Sequence, residues 1–276
     1  APSDNSLWYA ISSGGGFENV TYVRYDFDTG QHTHEISTDG SVTFQQSGYI
    51  GTQILTKVYN GFFWALHIPT SSDPTEARII KIALDGSSVT TDLIPQSVTD
   101  QIPGNFATHS WSENSLENTG KIYFTTFGDS IVSYDFDAES WNFEFDYSDA
   151  GISSTYYWNS VYVPSTDELW GNWYSEAVYV FNRNASLGKL EYQETYDFAA
   201  QSALVENNWS NDLYYDSAND RIASFEGWIG GSPDDNGDHV VYFNTDGTLE
   251  SEVDIGSKLD INNGYYNPHQ VKEIPG

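Results

Sequence analysis

The sequence contains no cysteine and no methionine among its 276 residues. Without a thiol, disulfide cross-links and catalysis by a cysteine nucleophile are excluded. No stretch approaches the roughly 20 consecutive apolar residues of a membrane-spanning helix. Basic residues are scarce as well, since 10 of them against 40 acidic residues give a net charge of −30. Because such a charge repels phosphate groups and anionic lipids, we expect neither a nucleic acid nor a membrane as partner.

Several catalytic fingerprints are also absent from the sequence. It contains no Gly-x-Ser-x-Gly elbow, no phosphate-binding loop, no His-Glu-x-x-His motif and no dinucleotide-binding fingerprint. Each of these motifs marks a particular chemistry when it stands in the right structural context. Their absence argues against the classes of enzyme that these motifs mark.

A four-residue pattern, apolar-x-apolar-Asp/Asn, recurs five times at intervals of 45 to 62 residues. The copies occupy residues 25–28, 82–85, 134–137, 179–182 and 241–244. Repeats of about this length, made of short strands and turns, are typical of β-propeller blades. The pattern therefore predicts an all-β fold: one five-bladed β-propeller domain over residues 1–276, with four antiparallel strands per blade.

Segments around each pattern predict the strands of the blades. An aromatic-rich strand precedes the pattern, an alternating strand follows it, and in four repeats a further strand comes first, at 52–59, 108–116, 155–163 and 204–214. The first repeat lacks that strand, so we expect residues 265–274 to complete the first blade and close the ring. The predicted blades are 1–38 with 265–274, 51–94, 107–147, 154–197 and 204–256.

The first strands of the blades should line the central channel, and they are rich in aromatic and amide side chains. Aromatic faces stack on the C–H faces of sugars, and amides pair with hydroxyl groups. The leading hypothesis is thus one site at the channel mouth for a carbohydrate or another small polyhydroxylated or aromatic molecule. Its expected ligand-binding residues are Trp111, Tyr157, Trp158, Asn159, Asn208, Trp209, Tyr265 and Asn267. Packing between blades is the alternative role for these aromatic side chains.

Catalysis at this site is left open by the sequence. Glu206, His109 and His269 are the candidate catalytic residues, because carboxylates and imidazoles act as general acids and bases. An enzyme of this kind would be a hydrolase or lyase acting on a glycan or a lactone-like molecule. One alternative is a metal-dependent lactonase or hydrolase with calcium in the channel, as in some propeller lactonases. Its oxygen ligands would be Glu206, Asn159 or Asn208, and Asn267. The other alternative is a non-catalytic lectin or an interaction scaffold, with residues 228–231 as an apolar patch.

The chain begins at Ala1 without an initiator methionine, which is consistent with removal of a signal peptide. We therefore expect a secreted, extracellular glycoprotein. Asn19 and Asn184 stand in Asn-x-Ser/Thr acceptors in predicted turns, whereas the acceptor at Asn208 coincides with the predicted channel site. The expected oligomeric state is a monomer.

Overall fold

The structure is a computed structural model, which describes residues 6–13, 19–37, 53–68, 77–103, 108–126, 130–152, 157–173, 177–198, 200–202, 212–226 and 239–254. The described residues form β-strands, short 3₁₀ turns and two four-residue helices, α1 (Gln96–Thr99) and α2 (Leu116–Thr119). Within the described ranges, neither helix has the length or apolarity to cross a membrane. The all-β prediction is confirmed.

The strands form five antiparallel sheets, each made of strands that are consecutive in the chain. Sheet A contains β1 (Ser6–Ser13), β2 (Asn19–Asp26) and β3 (Gln31–Ser37). Sheet B contains β4 (Gln53–Tyr59), β5 (Phe62–Ile68), β6 (Arg78–Ala83) and β7 (Val89–Leu93). Sheet C contains β8 (Thr108–Trp111), β9 (Lys121–Thr126), β10 (Ser130–Asp135) and β11 (Ser140–Asp146). Sheet D contains β12 (Tyr157–Val163), β13 (Glu168–Trp173), β14 (Ala177–Asn184) and β15 (Lys189–Asp197). Sheet E contains β16 (Asp212–Asp216), β17 (Arg221–Glu226), β18 (His239–Asn244) and β19 (Leu249–Asp254).

The chain divides into two compact units, Ala1–Thr108 and His109–Gly276. Unit 1 contains sheets A and B, and unit 2 contains sheets C, D and E apart from the first residue of β8. Sheet A has three described strands and the other sheets have four, as the repeat predicted. The segment 265–274, which was expected to complete sheet A, lies outside the described residues.

The acidic positions of the repeat form the turn before the last strand of sheets A, B and C. Asp26 Oδ1 accepts hydrogen bonds from the backbone N–H groups of Asp28 and Thr29 at 2.8 and 3.1 Å. Asp135 forms the equivalent turn in sheet C, again from the second position of the pattern. In sheet B the fourth position, Asp85, accepts the bond instead. Such side-chain acceptors compete with a continued ladder and end the strand, which explains why the pattern marks a turn.

The first strand of sheet C is shorter than predicted. The sequence predicted a strand over 108–116, but β8 ends at Trp111 and is followed by a 3₁₀ turn, Glu113–Ser115, and by α2. The hydroxyl of Ser115 donates a hydrogen bond to the backbone oxygen of Ser112 at 2.7 Å, which stabilises the turn. Gly120 then ends α2 in the left-handed conformation, with φ of 70°.

Unit 1 is held together by a core between its two sheets. The aromatic rings of Trp8 and Phe63 stack there with their centroids 5.2 Å apart, an arrangement that aromatic pairs favour. The other buried side chains of this core are Tyr22, Ala65, Ile80 and Ile82. Strand alternation accounts for part of the set, because β5 contributes Phe63 and Ala65 and β6 contributes Ile80 and Ile82, each pair two positions apart.

Two such cores lie among the described residues of unit 2. One lies between sheets C and D and is made of Tyr123, Ile131, Tyr147, Leu169, Phe181 and Leu190. The other lies between sheets D and E and includes Trp170, which is 0% exposed, and the parallel rings of Phe198 and Phe243, 3.5 Å apart. The first strands of sheets D and E, β12 and β16, lie side by side. This is the arrangement expected of neighbouring blades.

Two glycines in turns of unit 2 allow a matched test of its packing. Gly247 has φ of +77°, and a Cβ there would lie 2.5 Å from the Tyr196 ring, whereas Gly188 has φ of +67° and open space around it. Gly188→Ala should lower the free energy of unfolding by about 1–2 kcal/mol through backbone strain alone. Gly247→Ala should lower it further, because the tyrosine ring must also move. Urea denaturation measures both losses, and equal losses would contradict the packing seen at Tyr196.

Candidate functional site

The structure describes five of the eleven residues that were predicted to form the channel site. His109 and Trp111 lie on β8, and Tyr157, Trp158 and Asn159 lie on β12. Both are first strands of their sheets, which is where the prediction placed them. The remaining predicted residues lie outside the described ranges: Glu206, Asn208, Trp209, Tyr265, Asn267 and His269. The apolar stretch 228–231 lies outside them as well.

The segment at the start of β12 is irregular. Its pairing with β13 shifts register between Tyr157 and Asn159, so Trp158 is the extra residue of a β-bulge. Bulges re-aim side chains and are frequent beside binding sites. On β8, the side chain of Trp111 is partly exposed. At both tryptophan positions the backbone is therefore compatible with binding of a ligand and also with packing between blades.

Of the two predicted glycosylation positions, Asn184 has a described side chain. It lies at the end of β14, and its Oδ1 accepts hydrogen bonds from the Ser186 hydroxyl at 2.6 Å and from two backbone N–H groups of the turn. The residues that follow it, 185–188, are exposed. Asn19 is the first residue of β2 rather than a turn residue. The turn at Asn184 is thus accessible to a modifying enzyme.

A cleft of about 200 Å³ lies in unit 1 between sheets A and B. Its lining residues are Ser6, Leu7, Trp8, Lys57, Val58, Phe63 and Leu84. Leu7 and Val58 are 50% and 39% exposed, while Trp8 and Phe63 beside them are buried. The cleft is thus an apolar surface that joins the solvent to the core of unit 1.

The chemistry of this cleft is simple. Ser6 contributes a hydroxyl and Lys57 an ammonium, and the other five lining side chains are hydrocarbon or aromatic. The methylene stem of a lysine extends an apolar wall while its charged end stays in water. A carboxylate, Asp85, follows the wall residue Leu84 and is exposed. The arrangement suits burial of an apolar group from a binding partner, and it offers no acid–base pair for catalysis.

Sequence reasoning did not identify the cleft. It used residues 7–10 only as the aromatic-rich strand of the first repeat. A signal was nevertheless present, because alternation along a strand sends Leu7 and Trp8 to opposite faces. Only one of those faces belongs to the core between sheets A and B, and which of the two residues it receives depends on how the sheets pack.

A buried charged group crosses sheet C in unit 2. The Nζ of Lys121 lies 3.1 Å from Oε1 of Glu144, and the Ser133 hydroxyl donates a hydrogen bond to the same oxygen at 2.5 Å. Glu144 is 3% exposed. Because the ion pair is satisfied inside the sheet, its role is structural: it holds β9, β10 and β11 together.

A second polar group links sheets C and D. The side-chain amide of Asn114 donates to the backbone oxygen of Tyr162 and accepts from its N–H, at 2.5 and 3.0 Å. The Tyr162 hydroxyl donates to Asp167, which also lies 3.4 Å from Nη1 of Arg183. Desolvation, and next the hydrogen bond to Asp167, raise the pKa of Tyr162 to about 12. Burial also raises the pKa of Tyr123, and the charge of Glu144 adds to the effect.

These tyrosines predict a loss of stability at alkaline pH. In the unfolded chain a tyrosine ionises near its ordinary pKa of 10.0, whereas the folded protein keeps the proton of Tyr162 up to about pH 12. Stability should therefore be constant below pH 10 with respect to this group and should fall as the pH rises from 10 to 12. Urea denaturation at intervals over that range measures the fall. Tyr162→Phe should reduce its slope, and an unchanged slope would contradict the assignment.

Metal ligation was one expectation from the sequence. Within the described ranges, no group of three His, Cys, Asp or Glu side chains is arranged to hold a metal ion. The expected calcium ligands Glu206, Asn208 and Asn267 lie outside those ranges, and of Asn159 only the backbone is described.

Comparison with solved structures identifies β-propeller relatives in fold. The chain is similar to Raptor of Chaetomium thermophilum, with a TM-score of 0.54 and 12% identity over 91% of this chain and 20% of that one. It is also similar to the β-propeller domain of Cps50 (Swd1) of Myceliophteria thermophila, with a TM-score of 0.51 and 11% identity over 91% of this chain and 70% of that one. The chain is similar as well to Sqt1 of Saccharomyces cerevisiae, with a TM-score of 0.52 and 12% identity over 90% of this chain and 58% of that one.

No protein-family model matches the sequence, and no curated protein matches it. The chain spans about a fifth of the length of the matched Raptor chain and just over half of the Sqt1 chain. At 11–12% identity these likenesses concern the fold alone. Together with the repeat and the five meandering sheets, they support a β-propeller fold.

Proposed function

We propose that this protein is an interaction scaffold whose cleft in unit 1 receives an apolar side chain of a protein partner. The observation that carries the proposal is the cleft itself, where exposed Leu7 and Val58 border buried aromatic rings. Interfaces gain most of their binding energy where an anchor side chain fills a pocket of this kind. A scaffold also needs no catalytic groups, and the cleft has none.

The size of the cleft favours a side chain over a whole ligand. Sites for small molecules usually enclose about 300–1,000 Å³, whereas this cleft encloses about 200 Å³. Among the described residues that line it, none carries the carboxylate or amide groups that bind sugar hydroxyls. One leucine, methionine or phenylalanine side chain from a partner is the occupant that fits both its volume and its chemistry.

The charge of the molecule favours a basic partner. Among the described basic residues, Lys81 lies 3.9 Å from the centre of the Phe62 ring, Lys121 pairs with Glu144, and Arg221 pairs with Asp216 and Glu250. These cations are satisfied within their own sheets, while the net charge of −30 remains. Such a field steers positively charged partners toward the surface. The proposed occupant is therefore an apolar residue flanked by lysine or arginine, whose charged groups would lie beyond the ammonium of Lys57 in the cleft wall.

Ring closure is part of the same proposal. Sheet A has three described strands where the other sheets have four, and β1 is at its edge. We propose that residues 265–274 pair with β1 as a fourth strand, which would complete a five-bladed ring within one secreted chain. Closure would cover the edge of β1, because the added strand would pair with its backbone groups. Removing residues 265–276 should then lower the melting temperature, and an unchanged melting temperature would contradict closure.

Binding can be tested with synthetic peptides. The probe is acetyl-Lys-Lys-Phe-Lys-Lys-amide, compared with the same peptide carrying alanine in place of phenylalanine and with one carrying glutamates in place of the lysines. NMR spectra of methyl-labelled protein should show shifts at Leu7, Val58 and Leu84 with the first peptide only. The reason is that this peptide combines the apolar anchor with a charge opposite to that of the protein.

Variants locate the binding. Val58→Lys should abolish the shifts, because an ammonium at the rim opposes burial of the anchor and repels the lysines of the peptide. Leu187→Lys is the matched control, since Leu187 is also exposed, at 62%, but lies in a turn of sheet D. Shifts that persist in Val58→Lys, or equal shifts with the alanine peptide, would overturn the proposal. Preference for the glutamate peptide would contradict the basic partner.

A carbohydrate site at the channel mouth is the second candidate function. The β-bulge at Trp158 and the partly exposed Trp111, both on first strands, favour it. A glycan array with and without a chelator tests it. Binding that survives the chelator and is lost in Trp111→Ala supports a sugar platform, and loss on chelation supports the metal-dependent alternative. Binding to no glycan would rule out this candidate.

A further inference from the structure

The outer edge strand of sheet B carries little charge and exposes two large apolar side chains. This strand, β7, is almost entirely exposed, with Val89 at 45% and Leu93 at 51%. Between them lie two threonines and Asp92, the only charged residue of the strand. The fourth strands of sheets C, D and E carry two or three acidic residues each: Glu144 and Asp146 in β11, Glu191, Glu194 and Asp197 in β15, and Glu250, Glu252 and Asp254 in β19. Charge on an edge strand prevents pairing with another chain, and β7 has little of it.

The backbone of β7 shows which groups face outward. The N–H of Ala83 bonds to the oxygen of Ser88, and the N–H of Ile94 bonds to the oxygen of Ala77. In an antiparallel ladder such bonded pairs alternate with pairs whose backbone groups point away. The backbone groups of residues 90 and 92 therefore face β6, whereas those of 89, 91 and 93 face outward. No described strand of unit 1 lies beside that edge.

The outward edge is complementary to itself. A two-fold axis at Thr91 would place Val89 opposite Leu93 of the second copy and Thr91 opposite its own counterpart. Each of these pairs could exchange two backbone hydrogen bonds. The side chains of Val89, Thr91 and Leu93 lie on one face of the sheet, so Val89 and Leu93 would make two apolar cross-strand contacts. On the other face Asp92 would stand opposite Thr90, and no two carboxylates would be directly opposed.

We propose that β7 is a homodimerisation edge, through which two copies of this chain pair antiparallel around Thr91. A second copy is the occupant that fits, because Val89 would face Leu93, Thr91 would face its own counterpart, and the single carboxylate, Asp92, would face a threonine. The surface is separate from the proposed peptide cleft, whose residues lie on β1, β4, β5 and the turn after β6. Two chains of charge −30 repel each other, and a strand pair buries little area, so the dimer should be weak and should strengthen with added salt.

Sedimentation velocity of the full chain at rising protein concentration, in low and in high sodium chloride, tests the proposal. The expected result is a monomer at low salt and a concentration-dependent dimer at high salt. Hydrogen exchange provides a residue-level readout. The amides of Val89, Thr91 and Leu93 should exchange quickly in the dilute monomer and become protected in the dimer, while those of Thr90 and Asp92 should be protected in both.

Two variants at the axis separate edge pairing from other causes. Thr91→Pro removes an outward N–H and no ladder bond to β6, so the sheet should persist while the dissociation constant rises by roughly tenfold or more. Thr91→Lys places two ammonium groups opposite each other and should weaken the dimer as well. Ser87→Lys, in the preceding turn, is the charge-matched control and should leave dimerisation intact or slightly stronger.

Three results would overturn the proposal. The first is an absence of concentration dependence at every salt concentration. The second is a Thr91→Lys variant that dimerises as well as Ser87→Lys, which would mean that general charge reduction controls the association. The third is protection of the amides of Val89, Thr91 and Leu93 in the dilute monomer, which would mean that another segment of the same chain covers the edge.

Discussion

Replacement of Trp170 by alanine should lower the free energy of unfolding by about 3–5 kcal/mol, the usual cost of truncating a large buried aromatic side chain. The indole is 0% exposed and lies in the core between sheets D and E, against the rings of Tyr196 and Phe198. Its Nε1 also donates a hydrogen bond to Glu168 at 3.0 Å. The substitution thus opens a cavity and leaves a partly buried carboxylate with one donor fewer.

Guanidinium denaturation followed by circular dichroism measures the loss. Leu187→Ala is the control, because Leu187 is 62% exposed and substitutions at such positions usually change stability by less than about 0.5 kcal/mol. Equal stability of Trp170→Ala and Leu187→Ala would contradict the burial of Trp170 between sheets D and E. A smaller loss, near 3 kcal/mol, would indicate that neighbouring rings relax into the space.

Removal of the buried carboxylate in sheet C should have an effect of similar size. Glu144→Ala leaves the ammonium of Lys121 and the hydroxyl of Ser133 without their shared acceptor. An unpaired buried charge of this kind costs about 3–5 kcal/mol. The double variant Lys121→Met with Glu144→Leu should recover most of the loss, since apolar residues can replace a buried pair with little change in stability.

An exposed pair provides the control for this experiment. Arg221 lies 3.1 Å from Glu250, whose side chain is 39% exposed, and exposed pairs contribute about 0–1 kcal/mol. Glu250→Ala should therefore cost far less than Glu144→Ala under the same urea titration. Equal costs would show that Glu144 is more hydrated than its position in sheet C indicates.

The strands were largely predictable because their signals are local. Aromatic-rich runs at residues 62–65 and 122–125 and turn-forming carboxylates such as Asp26 and Asp135 act within a few residues of the chain. The first strand of sheet C was predicted too long because its end depends on Ser115, whose hydroxyl can form a turn or point from a strand with equal ease. The composition of the segment does not distinguish these two outcomes. The structure distinguishes them, because α2 ends at Gly120 and the chain turns there into β9.

The candidate sites depended on contacts that no local pattern contains. The sequence identified aromatic and amide residues of first strands, of which Trp111 and Trp158 lie on β8 and β12. It did not identify the cleft at Leu7 and Val58, because these two residues are 51 positions apart and become neighbours only when sheets A and B pack. Nor did it single out Glu144 among forty acidic residues.

By itself, the sequence determined that this protein is an acidic, all-β chain with five repeated sheets, since alternation and turn chemistry are properties of neighbouring residues. Only the tertiary structure decided which apolar side chains stay in contact with water and which carboxylate is buried. Those outcomes are set by the face that one sheet presents to the next, and residues far apart in the chain contribute to each face.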